Sequence, residues 1–193
     1  MAIFDPLSEA DRQEVAQRIG EWIATTPKFA DKRGRKIELG ESFQVWMLAL
    51  DQIARLDVPL IHLVRDTRRW HHQIRIDGRT EANARTARSD KPEAGWKMMR
   101  LTASGMTQQI DKAIDWLDEN AQDAYLVRLL EIPSYQAETF WLQNDEQSFL
   151  LLIHIPRVYH ALKYKHLYPA AEFLSILSQM PPAEGALIPP AQP

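Results

Sequence analysis

Residues 70–80 read WHHQIRIDGRT. An aspartate followed by a glycine, set between two segments that alternate apolar and polar residues, signals a β-hairpin, and the length of the turn decides which side chains share a face. A two-residue turn pairs Ile76 with Arg79 and, continued in regular register, puts Trp70, His72, Ile74 and Ile76 on one face with Arg79, Glu81, Asn83 and Arg85. That arrangement mixes core with solvent. A three-residue loop, Ile76-Asp77-Gly78, pairs Arg75 with Arg79 and Ile74 with Thr80 instead. Trp70, His72 and Ile74 then lie with Thr80, Ala82 and Ala84, and the polar residues gather opposite. The second register separates apolar from polar and is the one expected.

In that register the adjacent histidines point to opposite faces, so they neither share a metal ion nor act as one acid–base pair. His72 is expected half-buried with one hydrogen bond. His71 is expected on a wet face with Arg69, Gln73, Arg75, Arg79 and Arg85, which together form the candidate binding surface. Arg75 opposite Arg79 places like charges together at a small cost, a hint that this face meets an acidic partner.

Outward from the hairpin, Ser8 and Asp11 with Val15, Ile19, Trp22 and Ile23 at helical spacing predict a helix over 8–25. Leu39, Phe43, Trp46, Met47, Leu50 and Ile53 form an apolar stripe that predicts a second helix over 38–56. Met106, Ile110, Ala113, Ile114 and Leu117 predict a third over 104–120, with Gln108, Asp111, Lys112 and Asp115 on its solvent side. A strand is expected near 96–102. YLVRLLEI, QAETFWLQ and SFLLLIHI (125–132, 136–143 and 148–154) predict an antiparallel meander, and Ala170–Gln179 a short final helix behind Pro169. Phe140 and Trp141 alternate, so one of them is expected outward as an apolar patch; Trp141 joins the candidate binding residues. The resulting fold class is α+β: a mostly antiparallel sheet of five to six strands with helices on one face. It occupies a single domain over 1–180, followed by a proline-rich mobile tail over 181–193.

The chemistry of this sequence is sparse. It has 193 residues and no cysteine, which removes disulfides, thiolate nucleophiles and sulfur-ligated zinc, and fits a reducing, cytoplasmic setting. The N-terminal stretch has no signal-like pattern and no apolar run is long enough to span a bilayer, so no membrane role is expected. Phosphate-binding glycine motifs and the GxSxG elbow are missing, and His154, His160 and His166 lack the spacing of a metalloprotease helix. No metal and no cofactor are expected. The net charge of −3 conceals ten Lys/Arg against five acids in residues 65–100, a basic middle on an acidic body. These features lead to a non-enzymatic protein-interaction or regulatory module that binds an acidic protein through the basic hairpin. Two alternatives follow: nucleic-acid binding by residues 65–100, whose arginines alternate with Trp70, His71 and Trp96, and an enzyme with His72 as general base.

Overall fold

The computed structural model describes residues 2–4, 7–89, 95–103, 105–121, 123–144, 147–156 and 159–183. Among them are nine strands and three α-helices in an α+β arrangement. In chain order these are β1 (Ala2–Phe4), α1 (Glu9–Thr25), β2 (Ile37–Leu48), β3 (Val64–Ile76), β4 (Arg79–Arg88), β5 (Trp96–Thr102) and α2 (Gly105–Asn120). They are followed by β6 (Tyr125–Ile132), β7 (Ala137–Gln143), β8 (Ser148–His154), β9 (Leu167–Pro169) and α3 (Ala170–Ser178). The chain divides into two compact units: a hairpin unit of residues 4–44 and 68–112, and a meander unit of residues 1–3, 45–67 and 113–193.

The hairpin unit has the strand order β5-β4-β3-β2. Ser8 caps α1 by accepting the Asp11 N–H at 3.1 Å, satisfying one of the free donors of the first turn. Val15, Ile19 and Ile23, four residues apart on one helix face, are buried with Ile74, Ile76, Ala82, Ala84 and Trp96. The β3–β4 turn takes two residues: Asp77 (φ 50°) and Gly78 (φ 81°) are both left-handed, and Ile76 pairs with Arg79. The three-residue loop is therefore corrected, and so is its pairing of Arg75 with Arg79, since Arg75 lies opposite Thr80. The expected separation of faces holds from Ala82 onward but not at Arg79 and Thr80, which lie opposite Ile76 and Arg75. The register shifts between Ile74 and Arg75, so Ile74 pairs with Ala82, His72 with Ala84 and Trp70 with Thr86. This bulge leaves Glu81 as the extra residue and reverses the parity set by the short turn.

Helices cover both faces of this unit, not one. While α1 packs on the Ile74 face, the first turns of α2 cover the opposite face: Thr107 Oγ1 accepts from Asn83 Nδ2 at 2.9 Å, and Asp111 Oδ1 accepts from Gln73 Nε2.

The expected helix over 38–56 is the largest error of the sequence reading. Residues Ile37–Leu48 form β2, and Leu50–Gln52 a single 3₁₀ turn. The stretch supports both periods, since Ile37, Leu39, Phe43, Val45 and Met47 also alternate. Neighbouring strands decide between them: Val45 pairs with Leu129, and a Cβ on Gly40 would stand 3.2 Å from Gln73 Cβ. The close approach of β3 favours a glycine there.

The meander unit has the strand order β2-β6-β7-β8-β9, with β1 also on β6. The pairing of β2 with β6 is parallel and the pairs β6–β7, β7–β8 and β8–β9 are antiparallel, so the sheet is mixed. Nine strands replace the five to six expected, the additions being β1, β2 and β9. Leu130, Trp141, Leu150, Leu152, Phe173 and Leu177 are among the residues of its apolar core. Phe140 and Trp141 are both fully buried, so neither forms the expected outward patch. Of the expected proline-rich tail, 184–193 lie outside the described residues. Residues 181–183 are tethered: Pro181 O accepts from the Tyr159 hydroxyl, and the Ala183 N–H donates to Ser134 O.

Candidate functional site

The hairpin turn is fixed by the loop that precedes β2. Asp77 accepts from Arg35 Nε at 2.7 Å and from the Lys36 N–H at 3.1 Å, while its own N–H donates to Lys36 O at 2.9 Å. Lys32 and Arg35 both pair with Glu81. The Asp77 carboxyl is held below its ordinary pKa, first by the Arg35 hydrogen bond, and that of Glu81 likewise, first by Lys32. The acids of the turn are thus neutralised internally. Arg75 and Arg79 are exposed, and neither forms an ion pair with a described residue. They are the surplus charge of the hairpin end.

Behind the turn, the two histidines occupy different environments. His72 is fully buried; its Nδ1 meets Ser42 Oγ at 2.9 Å and its Nε2 meets Thr86 Oγ1 at 2.8 Å. A neutral imidazole has one donor and one acceptor, and two hydroxyls complete both. The ring also lies parallel to Trp70, with centroids 6.4 Å apart, and edge-on to Trp96 at 6.3 Å. Burial, with Arg85 and Arg12 adding repulsion, lowers its pKa to about 3. His72 is therefore neutral at physiological pH with both nitrogens engaged, an arrangement suited to holding structure rather than to taking a proton from a substrate.

His71 is also buried, at 1 % exposure, which corrects its expected place on a wet face. Its ring is 6.3 Å from Phe43, and neither nitrogen has a hydrogen-bond partner among the described residues. Its pKa lies well below the ordinary imidazole range, first through burial and then through Arg85 and His72.

No protein-family model, no curated protein and no solved structure matches this chain.

The structure thus disperses the seven candidate binding residues. Arg75 and Arg79 are exposed; Arg69 and Arg85 are half-buried and engaged with other groups; His71, Gln73 and Trp141 are buried. Gln73 is occupied by Asp111. Trp141 stands edge-on to Trp46 at 5.5 Å, with the Arg128 guanidinium 4.8 Å from its ring centroid and 5.2 Å from that of Trp46. Among the described residues no group of three or more His, Asp or Glu is placed to hold a metal ion, and no helix is long and apolar enough to cross a membrane.

One surface went unrecognised in the sequence. A groove of about 570 Å³ in the hairpin unit is walled by Arg18 and Trp22 of α1, Arg88 of β4, and Trp96, Lys97 and Met98 of β5. Arg18, Glu21 and Trp22 stand at i, i+3 and i+4, spacing that places them side by side on a helix. In the sequence Trp22 reads equally as part of the Val15–Ile23 helical stripe, which hides this surface.

Proposed function

We propose that this chain is a non-enzymatic interaction module that binds an acidic protein partner through the end of its β3–β4 hairpin. The observation that carries this reading is the pair Arg75 and Arg79, exposed cations on a turn whose carboxylates, Asp77 and Glu81, are already bound by Lys32 and Arg35. A rigid scaffold holding uncompensated guanidiniums steers and orients an anionic surface at little entropic cost. The absence of cysteine is in keeping with a cytoplasmic setting.

The alternative of nucleic-acid binding keeps its charge but loses its stacking platforms, because Trp96 and His71 are buried and Trp70 is half-buried against His72. The enzyme reading has its proposed base closed in by Ser42 and Thr86.

Fluorescence anisotropy with a labelled polyglutamate peptide and a single-stranded oligonucleotide of equal charge separates the readings. Reversing both charges (Arg75→Glu with Arg79→Glu) is expected to weaken peptide binding by about tenfold or more at low salt. Peptide binding that is indifferent to both substitutions would sink the proposal. Tighter oligonucleotide binding with a steep salt slope would favour the second reading.

A further inference from the structure

The last described residues show how the meander unit holds a pair of prolines. Residues 180–183 read Met-Pro-Pro-Ala, and they cross two tyrosines, Tyr135 and Tyr159, whose ring centroids are 5.6 Å apart. The Tyr135 hydroxyl donates to Met180 O at 3.1 Å and the Tyr159 hydroxyl to Pro181 O at 2.9 Å, while the Ala183 N–H donates to Ser134 O at 2.8 Å. Proline has no N–H, so the carbonyls of such a segment are what a surface can grip, and tyrosine hydroxyls supply the donors.

The same four-residue pattern returns eight residues later: 188–191 read Ile-Pro-Pro-Ala, again an apolar residue, two prolines and an alanine. We propose that this second copy docks on its own chain, in the groove of the meander unit formed by Ile155, Pro156, Tyr159, His160, Leu162 and Tyr164, with Ile188 and a proline ring against Tyr164. The segment 184–193 then serves as a latch over an aromatic surface. This inference does not depend on the reading of the hairpin end, which lies in the other unit.

Three observations favour this occupant. The first is reach. Tyr159 both holds Pro181 and walls the groove. Ile188 follows Pro181 by seven residues, a span of up to about 24 Å of extended chain, so the second copy reaches the groove while the first stays in place.

The second is chemistry. The groove, of about 280 Å³, is lined by aromatic and aliphatic groups and one imidazole, with no carboxylate, lysine or arginine among its lining residues. Residues 185–193 likewise carry no charged side chain. Proline-rich segments suit aromatic-lined grooves because their extended form is set before binding and little chain entropy is lost.

The third is the platform itself. Tyr164 is 50 % exposed, yet its hydroxyl accepts the Ile155 N–H at 3.3 Å and donates to Ile155 O at 3.4 Å. Its ring therefore presents an apolar face whose orientation is already fixed.

The test uses the full chain, uniformly labelled with ¹³C and ¹⁵N, and a synthetic peptide of residues 184–193. Nuclear Overhauser contacts between the Ile188 methyls and the Tyr164 ring protons are expected in the unmodified chain. Ile188→Asp is expected to shift the Tyr164 ring and the His160 and Leu162 amides while leaving the Tyr135 ring unmoved. The peptide is expected to bind this variant about fivefold or more tightly than it binds the parent, where the tethered copy competes at high effective concentration. Equal binding to both chains would overturn the latch. Contacts of Ile188 with Tyr135 in place of Tyr164 would overturn the choice of groove. Contacts that pass only between molecules, in a mixture of labelled and unlabelled chains, would replace the latch by an exchange between two copies. Failure to see any contact from residues 188–191 would overturn the proposal outright.

Discussion

The two units bury different kinds of side chain. Among the described residues, seven of the nine buried polar side chains fall in the hairpin unit (Ser42, His71, His72, Gln73, Asn83, Thr86 and Thr107), and two, Ser134 and Thr139, in the meander unit. The meander core is a continuous aliphatic and aromatic cluster. The contrast shows that a hairpin rich in histidine and amide groups need not be a reactive site. Where each polar atom finds an internal partner, such a network fixes one register, and where it does not, the group is a cost carried by the surrounding packing.

Four measurements sharpen or break this comparison. Trp141→Ala removes the largest residue of the meander core and its contacts with Trp46 and Arg128, and is expected to cost about 3–5 kcal/mol in denaturant unfolding. His72→Ala empties a site and leaves the Ser42 and Thr86 hydroxyls buried without partners, for an expected loss of about 2–4 kcal/mol. Should it cost less than 1 kcal/mol, the polar network does not hold the hairpin unit.

Acidification is the third. His72 has its pKa lowered to about 3 in the fold, and that of His71 is also lowered far below normal, whereas the unfolded chain takes up protons near pH 6.5. For His72 the stability that comes from keeping the ring neutral is complete above pH 6.5 and drains away as the pH falls from there toward 3, by about 1.4 kcal/mol per pH unit, and His71 adds to the loss in the same direction. Urea titrations at pH 7.5, 6 and 5 check this slope. His71→Leu is the smallest effect. Both nitrogens of that ring lack partners among the described residues, so an apolar replacement of similar size is expected to change Tm little or to raise it. A loss matching that of His72→Ala would erase the distinction between the neighbours.

Legibility followed the clarity of each segment's period. The meander strands, β5, α1 and α2 stand within a residue or two of their expected bounds, because each carries one period and clear punctuation. β2 was misread because its apolar residues satisfy two periods at once, and only partner strands arbitrate. The burial of His71 was hidden for another reason: the polar side of α2 looks like a solvent face in sequence, yet Thr107 and Asp111 meet Asn83 and Gln73. Polar residues facing polar residues cannot be told from polar residues facing water until the elements are placed. The exposed Arg75 and Arg79 needed no such knowledge, since the turn itself put them outside.

The bulge at Glu81 absorbs the residue that the two-residue Asp77-Gly78 turn leaves over. Were the same chain to pair without it, Ile74 would meet Glu81 and His72 would meet Asn83, and Ala82 and Ala84 would leave the side that α1 covers. A chain that lacked Glu81 would instead keep the pairs Ile74–Ala82, His72–Ala84 and Trp70–Thr86. The pairing therefore tolerates a one-residue deletion at the bulge, a point in this hairpin where chain length is free to drift.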